Sequence, residues 1–169
     1  MGPWGAIIMS FFGGIFFTAA TVLATGWKTP LLLIPFLVFA AFATLASRRI
    51  RRAPPGAFDP DARSGKIISW ASIAEGVGIP VMAMALANTG HNDLVLPGIA
   101  LVVGLHFVPI AYAIPFRPFY LLAALLILAA AAGMLLKQPT GSIMAGIAAS
   151  LALWLASVFA LSRKPASPA

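Results

Sequence analysis

Six runs of apolar residues follow one another along the chain, separated by short polar or Pro/Gly-rich breaks: 7–25, 30–47, 67–87, 95–114, 119–136 and 143–161. Each is close to the roughly 20 residues that cross about 30 Å of hydrocarbon at 1.5 Å per residue. Within such a segment only a helix satisfies every backbone N–H and C=O internally. The runs lack the polar–apolar alternation of a membrane β-barrel. The pattern therefore predicts an all-α membrane protein, one transmembrane domain over 1–169 built as a six-transmembrane-helix bundle.

Composition agrees. Of 169 residues, 61% are hydrophobic and 9% charged, with a mean hydropathy of +0.99. Soluble domains carry about 25% charged residues, so this chain lacks the charge to coat a water-facing surface. With no cysteine, disulfides, thiolate metal sites and thiol catalysis are excluded. The first run resembles a signal peptide with a cleavage-like Val22-Leu23-Ala24. No Lys or Arg precedes it, so the usual basic region is missing and a retained span is expected.

The net charge of +7 would suggest nucleic acid in a soluble protein. Here its distribution points to the bilayer instead. Arg48, Arg49, Arg51, Arg52, Arg63 and Lys66 all fall in one break, 48–66, which reads as a basic loop facing anionic lipid headgroups, with no nucleic-acid partner. With that loop inside, both termini are inside, together with Arg117, Arg163 and Lys164. Nine of eleven basic residues then share one side, leaving only Lys28 and Lys137 opposite. The positive-inside tendency places the arginine-rich side in the cytoplasm. Trp4, Trp27, Trp70, Tyr112 and Tyr120 fall near span ends, where aromatic belts sit.

Sliding the chain by about 90 residues sets Gly14-Ile15-Phe16-Phe17 against Gly104-Leu105-His106-Phe107, and with one gap Lys28 against Arg117. Two inverted three-helix repeats, an arrangement found in transporters, would produce this; so would chance matching of apolar helices.

Inside the expected hydrocarbon only two titratable residues stand out, Glu75 in the third span and His106 in the fourth. A charge at a helix centre costs about 2.5–3.5 kcal/mol on insertion scales, so such residues face the bundle interior and find partners. Glu75 lies eight residues after Ile67, and His106 eight before Ile114. At 1.5 Å per residue both are roughly 12 Å from the same surface. Consecutive antiparallel spans would bring them into contact.

Each has a proline downstream, Pro80 and Pro109, which frees the carbonyl of Gly76 and Leu105 respectively. Pro80, Pro109, Gly76 and Gly104 are read as helix-break positions beside the pair. Ser72 lies one turn from Glu75 on the same face, and Trp154 and Ser157 lie at comparable depth on the sixth span. The candidate substrate or proton pocket is Glu75, His106, Ser72 and Trp154, with Gly13 and Gly14 allowing close approach of the first span. The plainer reading is a buried hydrogen-bonded pair holding two helices together, worth about 1 kcal/mol. Gly146 with Ser150, and Ala156 with Ala160, read as helix-packing pairs.

Elsewhere, Asp93 in His91-Asn92-Asp93 reads as the cap of the fourth span. Too few ligands stand together for a metal site, and haem between two histidines lacks a second intramembrane imidazole, so no metal and no cofactor are expected.

The stretch Gly104-Leu105-His106-Phe107-Val108-Pro109, after Glu75-Gly76 on the preceding span, resembles a group of small uncharacterised bacterial six-span membrane proteins with a Gly-x-His-Phe-x-Pro stretch. The resemblance covers spans three to five, roughly 60 residues at about 20 per span. It implies a bacterial inner (plasma) membrane and no particular activity.

Three functions compete. The first is a small proton-coupled transporter, in which Glu75 and His106 exchange a proton; an unperturbed histidine titrates near about 6.5. The second is a non-catalytic scaffold or accessory subunit whose small-residue faces contact a second copy or another membrane protein. An enzyme using the pair as acid and base ranks last, because nothing supplies a nucleophile, oxyanion site or metal.

Overall fold

The computed structural model describes residues 2–114 and 116–163. Lys164, counted above with the arginine-rich side, lies outside the described residues. Six helices form: α1 (Gly2–Thr25), α2 (Ile34–Arg52, entered through a 3-10 turn Pro30–Leu33), α3 (Ala62–Asn88), α4 (Val95–Ala113, entered through a 3-10 turn Asn92–Leu94), α5 (Arg117–Leu135) and α6 (Thr140–Ser162). There is no strand among the described residues, and all six helices are long and apolar enough to cross a membrane. The protein is an all-α, six-helix, multi-pass membrane bundle in contact with lipid.

Local chemistry sets the helix ends. Thr29 accepts from the N–H of Leu31 and Pro30 opens the turn, as suits a first helical position. Asp61 caps α3, its carboxylate accepting from the N–H of Arg63 and of Ser64, each at 3.0 Å. Gly26 (φ 76°) ends α1 and Gly90 (φ 80°) ends α3; both adopt the left-handed conformation that glycine takes without a Cβ clash.

Two expectations are corrected at these ends. The basic break 48–66 is mostly helix: Arg48, Arg49, Arg51 and Arg52 form the last turns of α2, Arg63 and Lys66 the first turns of α3, and only 53–61 connect them. Arginine is a good helix former and its charge complements a helix C-terminus, so α2 runs on until Pro54-Pro55. Nor does Asp93 cap α4 with its side chain; α4 has no side-chain cap, and the Asp93 backbone carbonyl accepts instead from the Ser142 hydroxyl.

The helices pack in the order α2–α1–α6–α5–α4–α3, with α4 also touching α6. Small residues set the closest approaches. A Cβ on Gly146 would stand 2.8 Å from Ala20 of α1, and one on Gly133 2.6 Å from Ala145 of α6. Such faces let membrane helices gain van der Waals contact where no hydrophobic effect drives association. Phe16, Val103, Ile110, Leu122, Leu126 and Leu153 fill the core. α3 sits at one edge, 6% of its span buried against 50% for α6. The two three-helix halves make some corresponding contacts and not others. α1 packs on α6 and α2 as α4 packs on α3 and α5, but the α5–α6 interface has no α2–α3 counterpart of comparable extent.

Contacts among the ends show which of them share a side. Arg49 donates to the carbonyl of Leu161, Ser64 Oγ lies 2.9 Å from that of Ala113, and the Arg163 guanidinium lies 5.7 Å from the Phe116 ring centroid. Phe58 of the connector packs on Gly2. The start of α1 and the end of α6 therefore lie on the arginine-rich side. Arg49 is also no longer simply lipid-facing, since it satisfies a last-turn carbonyl of α6.

Candidate functional site

α3 and α4 run antiparallel, and each step up one is matched by a step down the other. Ser64 meets Ala113 near the arginine-rich side, Gly78 lies against Val102, and Met82 and Leu86 press on Gly98 near the other. Between these pairs, Glu75 Oε2 stands 3.6 Å from His106 Nε2, the side chains being 12% and 8% exposed. At 3.6 Å this is an ion-pair contact, longer than a hydrogen bond.

The other ring nitrogen is already committed. His106 Nδ1 lies 3.0 Å from the carbonyl oxygen of Ala71, one turn below Glu75 on α3. A carbonyl oxygen only accepts, so Nδ1 carries a proton. A second proton, when the site holds one, sits on Nε2, giving imidazolium beside carboxylate, or on Glu75, giving neutral imidazole beside neutral acid. Passing it between them leaves the net charge of the site unchanged; adding or removing a proton changes it by one.

The remaining candidates lie elsewhere. Ser72 points to the exposed face of α3 and makes no side-chain hydrogen bond among the described residues. Ala71, not Ser72, shares the face that meets α4. Trp154 belongs to the α1–α6 interface: its indole N–H donates to the Ser10 carbonyl at 3.2 Å, its ring lies 5.4 Å from Phe17, and it sits in the space left by Gly13. Gly14 receives Pro35 of α2, and Ser157 donates to the Leu153 carbonyl within α6. Equal depth placed these residues at one level; helix order put them on opposite sides of the bundle.

The helix-break reading is also corrected. α3 continues through Pro80 and α4 through Pro109. A proline removes one N–H, which a membrane helix tolerates without opening. No described side chain donates to the freed carbonyls of Gly76 and Leu105; the carbonyl that receives His106 is that of Ala71. Gly76 faces open space, whereas Gly104 is a packing position, its missing Cβ making room for Ile127 and Leu126 of α5.

Two cavities flank this arrangement, and the sequence revealed neither: the first is shaped by helices distant in the chain, the second by how α3 is rotated against α4. A cleft of about 890 Å³ lies between α1, α2 and the first turns of α4, apolar along Phe11, Ile15, Phe39 and Ile99 and lined by Asn92, Asp93 and Gln138 at the end away from the arginines. A groove of about 510 Å³ runs between α3 and α4 on the arginine-rich side, reaching Ala71 and Ala74 directly below Glu75. Among the described residues no three His, Cys, Asp or Glu side chains gather as a metal site would require. The chain matches no family model, no curated protein and no solved structure.

Proposed function

We propose that the protein is a small proton-coupled transporter of the bacterial inner membrane, with its arginine-rich side in the cytoplasm. The observation that carries this reading is the Glu75–His106 pair, 3.6 Å apart between two membrane spans, with His106 Nδ1 held by Ala71 so that Nε2 is the ring nitrogen turned to the carboxyl. Ionisable residues at such depth are costly and mark ion or proton pathways. α4 adds support, since it carries His106 in one half and lines the 890 Å³ cleft in the other. A helix touching both places is positioned to couple proton occupancy to an apolar or amphipathic cargo. Pockets of roughly 300–1,000 Å³ suit small molecules.

The test is reconstitution into liposomes with an entrapped pH dye and an imposed pH gradient. With ethidium added as an amphipathic cargo probe, wild type is expected to collapse the gradient, and Glu75→Gln to leave it standing while keeping helicity and a monodisperse profile. Equal flux through both proteins refutes the reading.

A second reading, a scaffold or accessory subunit, is favoured by a different observation. α3 has its main interface with α4 alone, and His106 with Ala71, together with Ser64 with Ala113, ties the two. In that case Glu75→Gln alters stability and no flux, and the protein co-purifies with another membrane protein or a second copy.

A further inference from the structure

The groove between α3 and α4 has two chemically different ends. At its mouth on the arginine-rich side stand Arg63 and Lys66, three residues apart on one face of α3, neither with a carboxylate partner among the described residues. The nearest acid in sequence, Asp61, is turned away from that role: its oxygens accept from the Arg63 and Ser64 N–H groups and from Ser64 Oγ at 2.6 Å. Beyond the cations the groove is apolar, floored by Ile67, Ala71 and Ala74 and walled by Trp70 and Pro109. Small side chains on α3 leave the space open, and Trp70, 64% exposed, stands along it.

Length identifies the occupant. From Arg63 to Ala74 the helix climbs roughly 16 Å at 1.5 Å per residue, about half of the roughly 30 Å hydrocarbon core. A cationic mouth at headgroup level and an apolar slot one leaflet deep match one end-to-end chemistry, a phosphate diester carrying an acyl chain. We propose that this groove is a binding site for one anionic phospholipid of the leaflet on the arginine-rich side. Its phosphate pairs with Arg63 and Lys66, and one acyl chain lies along Ala71 and Ala74 beneath the Glu75–His106 pair. Arg48 and Arg51 present similar charge on α2, but over a smaller and more polar pocket of about 360 Å³ with Ala43, Thr44 and Ser47. The proposal is independent of transport.

The experiment is native mass spectrometry of the full chain from detergent containing equal amounts of phosphatidylglycerol and phosphatidylcholine with the same acyl chains. Wild type is expected to retain one phosphatidylglycerol, preferred on the order of 25-fold, since each of the two basic residues contributes about fivefold. Arg63→Gln with Lys66→Gln is expected to erase the preference, and Arg48→Gln with Arg51→Gln to keep it. Ala74→Trp fills the slot without touching the charges and is expected to lower retention of both lipids. Any of four results overturns the proposal: no preference in wild type, equal loss in both arginine-containing double variants, unchanged retention in Ala74→Trp, or displacement of the lipid by millimolar inorganic phosphate, which would mark a free-anion site.

Discussion

His106 reaches across the α3–α4 interface to the carbonyl of Ala71, 3.0 Å away, and this contact decides which ring nitrogen meets Glu75. With Nδ1 donating to a peptide oxygen, Nε2 is the nitrogen left to gain or lose a proton 3.6 Å from the carboxyl. The neutral ring should therefore be the Nδ1–H tautomer. Nitrogen-15 chemical shifts of the labelled histidine in lipid would show it, and an Nε2–H ring would contradict the contact.

Glu75 and His106 should also be energetically coupled. In a cycle of Glu75→Gln, His106→Phe and the double variant, the coupling is expected near about 1 kcal/mol, because membrane hydrogen-bond cycles average about 0.6 and reach about 1.7 kcal/mol. Reversible unfolding in mixed micelles measures it. Strictly additive losses would mean that the two side chains do not act on each other.

Gly13 should tolerate no side chain. A Cβ there would stand 2.7 Å from both Cδ1 and Nε1 of Trp154 and 3.3 Å from the Ser150 carbonyl oxygen. Gly13→Ala must displace the indole and break its bond to Ser10. Overpacking typically costs about 1–3 kcal/mol, so the melting temperature should fall. The loss should shrink in a Trp154→Ala background; a loss of the same size there would place the clash elsewhere.

Ser150 offers the opposite case. Its hydroxyl is fully buried in α6 with no hydrogen-bond partner among the described residues, whereas that of Ser157 donates to Leu153 at 2.9 Å. An unpaired buried polar group costs about 1–3 kcal/mol. Ser150→Ala should leave the melting temperature unchanged or raise it, and Ser157→Ala should do less well. A clear drop for Ser150→Ala would reveal a partner for the hydroxyl.

Asp61 supplies a pH dependence at the arginine-rich end of α3. The Ser64 hydroxyl, then the Ser64 and Arg63 N–H groups, hold its carboxyl below its ordinary value. A carboxyl lowered on folding stabilises the folded end above its unfolded pKa, and that contribution is lost as pH falls through the lowered one. Amide exchange at Arg63–Lys66 should therefore gain extra protection loss at acidic pH, below the usual carboxylate range, relative to mid-α3 amides. Asp61→Asn should abolish the pH dependence; a wild-type-like profile in that variant would show that another group is responsible.

The Glu75–His106 proximity was legible in the sequence because depth along consecutive antiparallel helices is a simple count from a shared surface. Counting failed for Trp154, since depth says nothing of azimuth: α6 turns that ring towards Gly13 and Ser10 of α1. It failed for Ser72 by one residue, because which of two adjacent positions meets α4 depends on the rotation of α3 about its axis. The prolines misled for another reason. A single missing N–H need not interrupt a helix whose remaining ladder is intact.

By itself the sequence determined six spans, their alternating direction, the clustering of basic residues at one end and two ionisable residues at matched depth. These are properties of residues read in order, set by hydrophobic length, charge and backbone self-satisfaction. Only the tertiary structure decided that α2 and α3 lie at the edges, that Arg49 closes the end of α6, that His106 takes the carbonyl of Ala71, and that a cleft and a groove remain open between helices. In a bilayer the apolar face of a helix can rest on lipid as well as on protein. Hydropathy therefore leaves neighbour choice free, and close packing of small residues settles it.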